Sequence, residues 1–463
     1  MVPPLPGGVL RDSVCVSPPL NVTYLGAVLR SGGHEVAIVD SPASRLDELK
    51  AAEKVKSFGP DLVGISSLSQ TYNSSLKVAH AIREILPDVP ISTGGPHATF
   101  FDRQTAQHPD VDIVVRGEGE ATIVDLANQL EAGHGLDAVL GITYKEGARV
   151  ISNGDRPFIQ DLDSLPFPAY DLIPLSLYGA LRGRKIFLLL SSRGCPYGCG
   201  FCIMYKMDGN RVRARSPKNV ADEIELLISL GADSFSFCDE TFTFNAKGVE
   251  GICDEILARR LEIPWDCQTR SDLLKPSLLE KMRKSGCELI CLGVESGSQR
   301  ILDRMKKRTT VAMNLEGVRA IKKAGIAVST SLIIGYPGED AESLEETIRF
   351  VKTTSPDIAY LNIATPFPGT EFYDEVSSSG LIQEFEWQKY DITMPVFETT
   401  TMKKETLLRA RRSFYNSWYS LGYVLRNLTK ENFYNRTMGW FALNYIKWRF
   451  TNSLKKGVFR SFR

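Results

Sequence analysis

The chain has 463 residues, of which 24% are charged and 43% hydrophobic, and its 55 basic and 55 acidic residues balance. A chain of this length forms two or three domains rather than one. The sequence contains no run of about 20 apolar residues of the kind that spans a membrane, and the N-terminus carries no secretory signal pattern. We therefore expect a cytoplasmic location, with a peripheral membrane contact as a further possibility.

The first part of the chain contains short apolar runs that alternate with helix-like segments. The predicted strands are 35–40, 62–67, 90–95, 112–117 and 140–146. Continuous apolar strands of this kind are typical of a buried parallel sheet, and ligands of such sheets bind beyond the carboxyl ends of the strands. Three segments fall there: "SSL" (66–68), "GGPHAT" (94–99) and "RGEGE" (116–120).

A second series follows a connector at 147–184 that is rich in proline and turn residues. Its predicted strands are 186–192, 234–240, 265–270, 288–296, 327–335 and 358–366. Six strand–helix repeats predict a parallel barrel or an open part of one, in which the chemistry is assembled where the strands end. Glu240, Arg270, Glu295 and Gly335 lie at those ends, and the first strand leads into a cysteine-rich loop.

The last segment, 401–463, is predicted to be helical, and from residue 403 onward it carries 14 Lys and Arg against 2 Asp and Glu. Three roles are open to it. It can form a helical cap on the barrel, or it can contact an anionic membrane surface or a lipid-like substrate, for which basic residues beside Trp and Phe are suited. Nucleic-acid binding also uses basic and aromatic groups and is the least favoured role.

The stretch "RGCPYGCGFC" (193–202) places cysteines at 195, 199 and 202. A structural zinc site takes four protein ligands, and no histidine follows residue 134. A disulfide would use only two of the three thiols. An iron–sulfur cube is usually held by four thiolates, so three on one loop would leave one iron open to an exogenous ligand. A partial zinc site and three incidental thiols remain as alternatives.

The loop resembles the hallmark of the radical S-adenosylmethionine (SAM) superfamily, C-x3-C-x2-C with an aromatic residue before the last cysteine, here Phe201. The resemblance implies a [4Fe–4S] cluster bound by Cys195, Cys199 and Cys202, with SAM chelated to the fourth iron and Phe201 beside the cofactors. Enzymes of this superfamily cleave SAM to methionine and a 5′-deoxyadenosyl radical, which removes a hydrogen atom from an unactivated carbon.

Four further segments are similar to motifs of the superfamily: "CDETFTF" (238–244), "GVESGSQRILDRMKK" (293–307), "LIIGYPGE" (332–339) and "ATPFPGT" (364–370). The resemblance implies SAM contacts at four strand ends: Glu240 to the amino group, Glu295 to the ribose or amino acid part, Gly335 to the adenine, and Arg270 to the carboxylate through a guanidinium fork. Leu332 departs from its motif, which begins with glycine. Purely structural roles for these residues, as caps, ion pairs or turns, remain as alternatives.

The N-terminal half resembles the cobalamin-binding domain that is fused to one large class of these enzymes, and the matching pieces are 18–40, 64–69, 94–99 and 112–120. The implied cobalamin contacts are Ser66, Leu68, Gly94, Gly95, Gly117 and Glu118. The D-x-H-x-x-G motif that supplies a cobalt ligand is absent after Asp40, so we expect no histidine ligand. His97 is interpreted as a structural or nucleotide-tail contact, with a metal role as the alternative. There are two departures: the strand before the first "PP" is missing or very short, and Asn21 stands where glycine is common.

These inferences predict an α/β protein with four parts: a Rossmann/flavodoxin-like cobalamin-binding domain (1–146), a connector (147–184), a partial (β/α)6 TIM-like radical SAM barrel (185–400) and a helical extension (401–463). The predicted function is C-methylation of an unactivated sp3 carbon. A radical cyclase, or another carbon–carbon bond-forming enzyme with these cofactors, is the alternative, and a non-enzymatic corrinoid carrier is the alternative of another class. The expected partners are a small-molecule or lipid-like substrate, an electron donor such as flavodoxin or ferredoxin, and a membrane surface at the tail. The sequence identifies no catalytic residue.

Overall fold

A computed structural model describes the backbone of residues 17–179 and 185–458, with side chains as far as residue 449. These residues form two compact units. Of the described residues, the first unit contains 17–232 together with Thr365–Asp391, and the second contains Asp233–Ala364 and the residues from Ile392 onward. Each unit contains a sheet: that of the first unit is mixed, and the described strands of the second unit are parallel.

The helices are α1 Leu20–Ser31, α2 Ser41–Ser44, α3 Glu48–Phe58, α4 Tyr72–Ile85, α5 Pro96–Phe100, α6 Asp102–Ala106, α7 Glu120–Glu131, α8 Met204–Met207, α9 Pro217–Ser229, α10 Ala246–Ala258, α11 Pro276–Lys284, α12 Gln299–Arg304, α13 Val311–Lys323, α14 Ala341–Thr354, α15 Glu371–Ser378, α16 Lys404–Trp418, α17 Leu421–Leu428 and α18 Phe433–Val458. The strands are β1 Val63–Ser66, β2 Ile91–Gly94, β3 Ile113–Val115, β4 Ile142–Glu146, β5 Arg149–Ser152, β6 Ile186–Leu189, β7 Ser192–Arg193, β8 Arg213–Ala214, β9 Ser234–Phe237, β10 Trp265–Thr269, β11 Cys287–Glu295, β12 Ala327–Ile334 and β13 Ile358–Ile363. Short 3-10 helices occupy Ser69–Thr71, Leu162–Ser164, Tyr170–Leu172, Leu175–Leu177, Phe242–Phe244, Ser271–Leu273 and Trp387–Lys389.

The sheet of the first unit has the order β1-β2-β3-β4-β5. Strands β1 to β3 are parallel, as predicted. The prediction of a parallel strand at 140–146 is wrong, because β4 runs antiparallel to β3 and its first residue, Ile142, pairs with the last residue of β3, Val115. The chain returns to the carboxyl end of β3 after α7 and then turns at Gly147, whose φ is +59°, into β5. A hairpin this short can only join antiparallel strands.

The predicted strand at 35–40 is also wrong, since these residues form no strand. The alternation that indicated it is real: Glu35 and Ala37 are exposed, whereas Val36 and Ile38 are half-buried. The side chains of Val36 and Ile38 lie close to Gly26 of helix α1. A strand requires a neighbouring backbone to complete its hydrogen-bond ladder, and no described strand pairs with this segment.

Apolar helix faces cover the first sheet. Val28 of α1 and Leu126 of α7 are buried against Ile113 and Ile142. Ala52 and Ile82, on α3 and α4, belong to a second buried cluster that includes Ile91. Helices on a parallel sheet leave the ends of its strands as the open edge, which is where ligands of this fold bind.

The second unit contains the parallel strands β9 to β13, ordered β13-β12-β11-β10-β9. All six strands of the second predicted series are present, the first of them as β6. One face of this sheet is fully buried, for example at Trp265, Ile290 and Val328. On the opposite face Gln268 and Tyr360 remain exposed. The sheet therefore keeps one accessible face, as expected of a barrel that receives a ligand.

The tail forms helices α16, α17 and α18, which confirms the helical prediction as far as residue 458. Strand β13 lies at the edge of its sheet, and the tail satisfies that edge: the Leu361 N–H donates to the Tyr415 hydroxyl at 2.9 Å, and Arg411 Nε donates to the Leu361 carbonyl at 3.0 Å. Tyr434 and Met438 pack against residues that begin the strands, including Leu289. An exposed edge strand invites aggregation, so the tail is an integral part of this unit.

Among the described helices, none combines the length and the apolar character that crossing a bilayer requires.

Candidate cofactor sites

The cysteine loop is closed at its base by a two-stranded ribbon. Ser192–Arg193 (β7) pairs antiparallel with Arg213–Ala214 (β8), and the Cys195 N–H donates to the Gly209 carbonyl at 3.0 Å. Gly194 has a φ of +99°, and a Cβ there would lie 2.2 Å from the Arg211 carbonyl oxygen. Only glycine fits that position, so the ribbon determines where the loop begins.

The three thiols lie within this loop at different depths. Cys195 and Cys199 are 8% and 6% exposed, and Cys202 is partly exposed. The Cys202 N–H donates to the Cys199 carbonyl at 3.0 Å, which makes a turn between them. The partly buried Phe201 precedes Cys202. In the described chain no three His, Cys, Asp or Glu side chains surround a single ion-sized position.

This donor set fits an iron–sulfur cube, which takes one thiolate at each of three separate corners. Thiolates are also the preferred ligands of Fe–S clusters. The residues of the loop therefore fit the cluster that the sequence predicts.

The four predicted SAM contacts come together at one edge of the second sheet. Glu240, Arg270, Glu295 and Gly335 follow or end the adjacent strands β9, β10, β11 and β12. Parallel strands end on the same side, so these residues line one rim. A guanidinium and two carboxylates match the carboxylate and ammonium groups of an amino acid ligand, and the set therefore fits the methionine part of SAM.

Arg270 and Glu295 have partners within the protein. Arg270 is 4% exposed and donates to Asp272 at 3.0 Å. Glu295 is 6% exposed, has a φ of +63° and pairs with Lys307 at 2.8 Å. Left-handed backbone at a non-glycine residue is uncommon and occurs often at functional sites. The ion pair with Lys307 is by itself a sufficient structural role for the buried Glu295 carboxylate, so a SAM contact of Glu295 stays a prediction.

Gly335 follows strand β12 with a φ of +85°, and a Cβ there would lie 2.7 Å from Leu407. Its N–H donates to the Glu339 carboxylate. Glu339 is fully buried, and its other carboxyl oxygen has no partner among the described residues. Burial raises the pKa of Glu339 to about 8, because the charged form would lose its hydration. Glu339 is therefore protonated in the folded protein at neutral pH.

Glu339 should make the stability of the protein depend on pH. In the unfolded chain the carboxyl ionises near its ordinary pKa of 4.5, but in the folded chain it ionises only near 8, so stability is lost as pH rises from 4.5 to 8, by at most about 5 kcal/mol. We expect Glu339→Gln to remove this loss. Urea unfolding of both proteins at pH 6 and pH 8.5 tests it, and a constant difference between them at the two pH values would contradict it.

The predicted cobalamin contacts lie at the ends of β1, β2 and β3. Ser66 ends β1 and accepts a hydrogen bond from Asn21 at 2.7 Å. Gly95 follows β2 with a φ of +101°, and a Cβ there would lie 2.4 Å from the Ser67 carbonyl oxygen. Gly117 follows β3, and a Cβ there would meet nothing within 4 Å. The glycines at the ends of these strands let a ligand approach the backbone closely, and the space beside Gly117 is open. This edge therefore fits a large planar ligand with a polar tail.

The remaining predicted contacts differ in what they can offer a ligand. Leu68 and Gly94 lie on the same edge, and the Leu68 N–H donates to Thr71 at 2.9 Å. The Glu118 carboxylate is instead occupied: Arg213 lies 2.8 Å and Arg193 3.2 Å from Oε1, and the Ile159 N–H donates to Oε2 at 2.8 Å. A role for Glu118 toward cobalamin is thereby limited to its backbone.

His97 is enclosed by aromatic rings. Its centroid lies 4.0 Å from Tyr72 and 4.7 Å from Trp387, its Nδ1 lies 3.2 Å from the Ser69 hydroxyl, and it is 1% exposed. Burial lowers the pKa of His97 to about 4, so the ring is neutral at pH 7. These contacts favour the structural role for His97.

Sequence reasoning missed two groups that the structure connects to these sites. Lys307 lies within the quoted segment 293–307, but only its contact with Glu295 gives it significance. Arg193 begins the cysteine stretch and pairs with the buried carboxylates Glu118 and Glu120. The sequence feature that indicates a role for Arg193 is its position as a charged residue directly before the cysteine loop.

Comparison with known protein families gives two matches. Residues 189–351 match the radical SAM superfamily, and residues 8–127 match the B12 binding domain.

Individual proteins are similar over most of the chain. An uncharacterized methyltransferase of Pyrococcus horikoshii is 34% identical over 90% of this chain and 91% of its own length. An anaerobic magnesium-protoporphyrin IX monomethyl ester cyclase of Cereibacter sphaeroides is 31% identical over 96% of this chain and 73% of its own. The fold matches the cobalamin-dependent SAM radical enzyme OxsB, solved with aqua-cobalamin and SAM bound, with a TM-score of 0.75, 18% identity, and coverage of 94% of this chain and 69% of that one.

Proposed function

Because the chain belongs to the cobalamin-binding radical SAM enzymes, we propose that it transfers a methyl group to an unactivated sp3 carbon of a small-molecule substrate. The single observation that carries the proposal is the glycine-dependent loop with three thiols that the β7–β8 ribbon closes. When bound, the cluster, SAM and cobalamin supply one-electron cleavage of SAM, hydrogen-atom removal and the methyl group.

The residues of the chain hold and orient these groups. Cys195, Cys199 and Cys202 would hold three corners of the cluster. Arg270 and Glu240 would orient the amino acid part of SAM. Burial of two of the three thiols would keep water from the cluster, and exclusion of water protects reactive species from side reactions.

The accessible face of the second sheet supports a polar substrate. Gln268 and Tyr360 are exposed there, and Asn362, two residues beyond Tyr360, is half-buried and donates to Ser331 at 3.2 Å. Amide and hydroxyl groups on an accessible face select ligands that can pair with them. A small molecule with hydrogen-bonding groups suits this face better than a purely apolar lipid.

The direct test is anaerobic reconstitution of the full chain with iron, sulfide and cobalamin, followed by incubation with methyl-deuterated SAM and a small-molecule cell extract. Mass spectrometry should detect 5′-deoxyadenosine, S-adenosylhomocysteine and a product that carries the deuterated methyl group. Deoxyadenosine together with a ring-closed product and no labelled methyl would overturn methylation.

That second outcome would support a radical cyclase, the other candidate function. The observation that favours it is the 31% identity to an anaerobic cyclase over nearly the whole chain. A corrinoid carrier without catalysis would instead bind cobalamin and leave SAM intact.

The tail offers a surface for a membrane or a lipid-like substrate. Leu421 and Leu425 are 66% and 67% exposed on one side of α17, next to the exposed Arg426. Apolar and basic side chains together suit an anionic bilayer surface. Sedimentation with phosphatidylglycerol vesicles tests this contact.

The last proposed partner is an electron donor such as flavodoxin or ferredoxin.

A further inference from the structure

A buried group of four charges joins the cysteine loop to the loop after strand β3. Arg193 lies 3.2 Å from Glu118 and 2.5 Å from Glu120, and Arg213 lies 2.8 Å from Glu118. Each of these side chains is 10% exposed or less. We call Arg193, Arg213, Glu118 and Glu120 the ion-pair group.

The ion-pair group lies directly beside both predicted cofactor loops. Arg193 is two residues before Cys195, and its backbone lies opposite that of Arg213 in the β7–β8 ribbon. Glu118 follows Gly117, and Glu120 begins helix α7. A shift of either loop would therefore separate buried charges.

A second link, through residues 369–372, joins the cysteine loop to the cobalamin-binding half of the first unit. The Phe372 N–H donates to the Gly200 carbonyl at 2.9 Å, and Lys206 Nζ donates to the Gly369 carbonyl at 2.6 Å. Gly369 has a φ of +86°, and a Cβ there would lie 2.5 Å from the ring of Phe100, which ends helix α5 behind "GGPHAT". Residues 369–372 thus contact both the cysteine loop and the cobalamin-binding half.

On the basis of these two links we propose that the ion-pair group couples the two cofactor sites, so that cobalamin bound at the β3 end orders the cysteine loop and sets its position. The inference rests on the proposed function. Two arginines and two carboxylates carry no net charge, so the group is poorly suited to shifting the potential of a cluster. Buried pairs are costly to form but tolerate only one geometry, which suits a positioning role.

Positioning matters because both cofactors must reach the same carbon, and a displacement of about 1 Å can cost on the order of 100-fold in rate. Loss of the coupling should therefore leave SAM cleavage intact but separate it from methyl transfer. The ratio of deoxyadenosine to S-adenosylhomocysteine reports that separation.

The test compares wild type, Glu118→Gln and the matched control Asp125→Asn by amide hydrogen exchange of residues 195–202 in protein without cluster. Asp125 lies on the same helix, α7, and pairs with Arg156 at a more exposed position. We expect hydroxocobalamin to slow exchange by at least about 10-fold in wild type and control, but by less than about 2-fold in Glu118→Gln. Equal slowing in all three proteins would overturn the proposal.

If Glu118→Gln does not fold, a second pair of variants decides. Gly369→Ala should clash with Phe100 and strain the left-handed backbone at Gly369, which weakens the coupling, and Phe100→Ala in the same chain should restore only the part that the clash causes. Absence of any effect of Gly369→Ala on the exchange of residues 195–202 would overturn the proposal.

Failure of the proposed function can be distinguished from failure of the coupling alone. If wild type neither binds cobalamin nor cleaves SAM, the proposed function fails and takes this inference with it. If wild type performs both reactions and the exchange rates of all variants match, only the coupling fails.

Discussion

Cys199→Ala should abolish cleavage of SAM, with a loss of at least about 1,000-fold in deoxyadenosine formation, because the cluster would lose one of three protein thiolates. Cobalamin binding should stay within about 2-fold of wild type, since no predicted cobalamin contact changes. Anaerobic reconstitution, iron analysis and mass spectrometry of the products check the first result, and cobalamin absorbance checks the second.

A matched control is Cys253→Ala. Cys253 is a free, fully buried cysteine on α10, in the second unit, where a thiol behaves as a small apolar group. This variant should keep wild-type iron content and SAM cleavage. Retention of more than a tenth of the wild-type cleavage by Cys199→Ala would contradict the assignment of the cysteine loop.

Arg215→Met should destabilise the protein by about 3–5 kcal/mol, because it leaves the charge of Glu223 buried without its partner. Arg215 and Glu223 are 4% and 0% exposed and lie 2.5 Å apart. Burial raises the pKa of Glu223, and the charge of Arg215 opposes that rise. Urea unfolding of the cofactor-free protein at pH 7.5 measures the change.

The control for this variant is Lys218→Met, on the helix α9 that also carries Glu223. Lys218 pairs with Asp222 at 2.7 Å, but its side chain is 73% exposed, and exposed ion pairs contribute less than about 1 kcal/mol. We therefore expect little change in its unfolding midpoint. Similar losses in the two variants would mean that burial of the Arg215–Glu223 pair is not the cause.

The sequence predicted helices and strands correctly where a local pattern of residues determines them. The Ser216 hydroxyl accepts from the Asn219 N–H at 3.2 Å and caps the start of α9, as Ser–Pro at a helix start predicts. The six strands of the second series were likewise readable, because a strand buried on a parallel sheet is a continuous apolar run.

Predictions failed where a strand depends on its neighbour. Residues 35–40 alternate as a strand does but have no described neighbour to pair with. Strand β4 runs antiparallel to β3 because the chain returns from α7 at the carboxyl end of β3, which the residues of β4 do not show. Strand pairing is a contact between distant parts of the chain, so a local pattern cannot determine it.

By itself, the sequence determined the kinds of cofactor that this chain can hold, because three closely spaced thiols and the glycine-bearing strand ends are local features. Only the tertiary structure decided what surrounds them: that Glu118 faces Arg193 and Arg213 rather than a ligand, and that Tyr415 completes the edge of β13. The physical reason is that a side chain's chemical type is local, whereas its partner, burial and charge state depend on residues tens to hundreds of positions away.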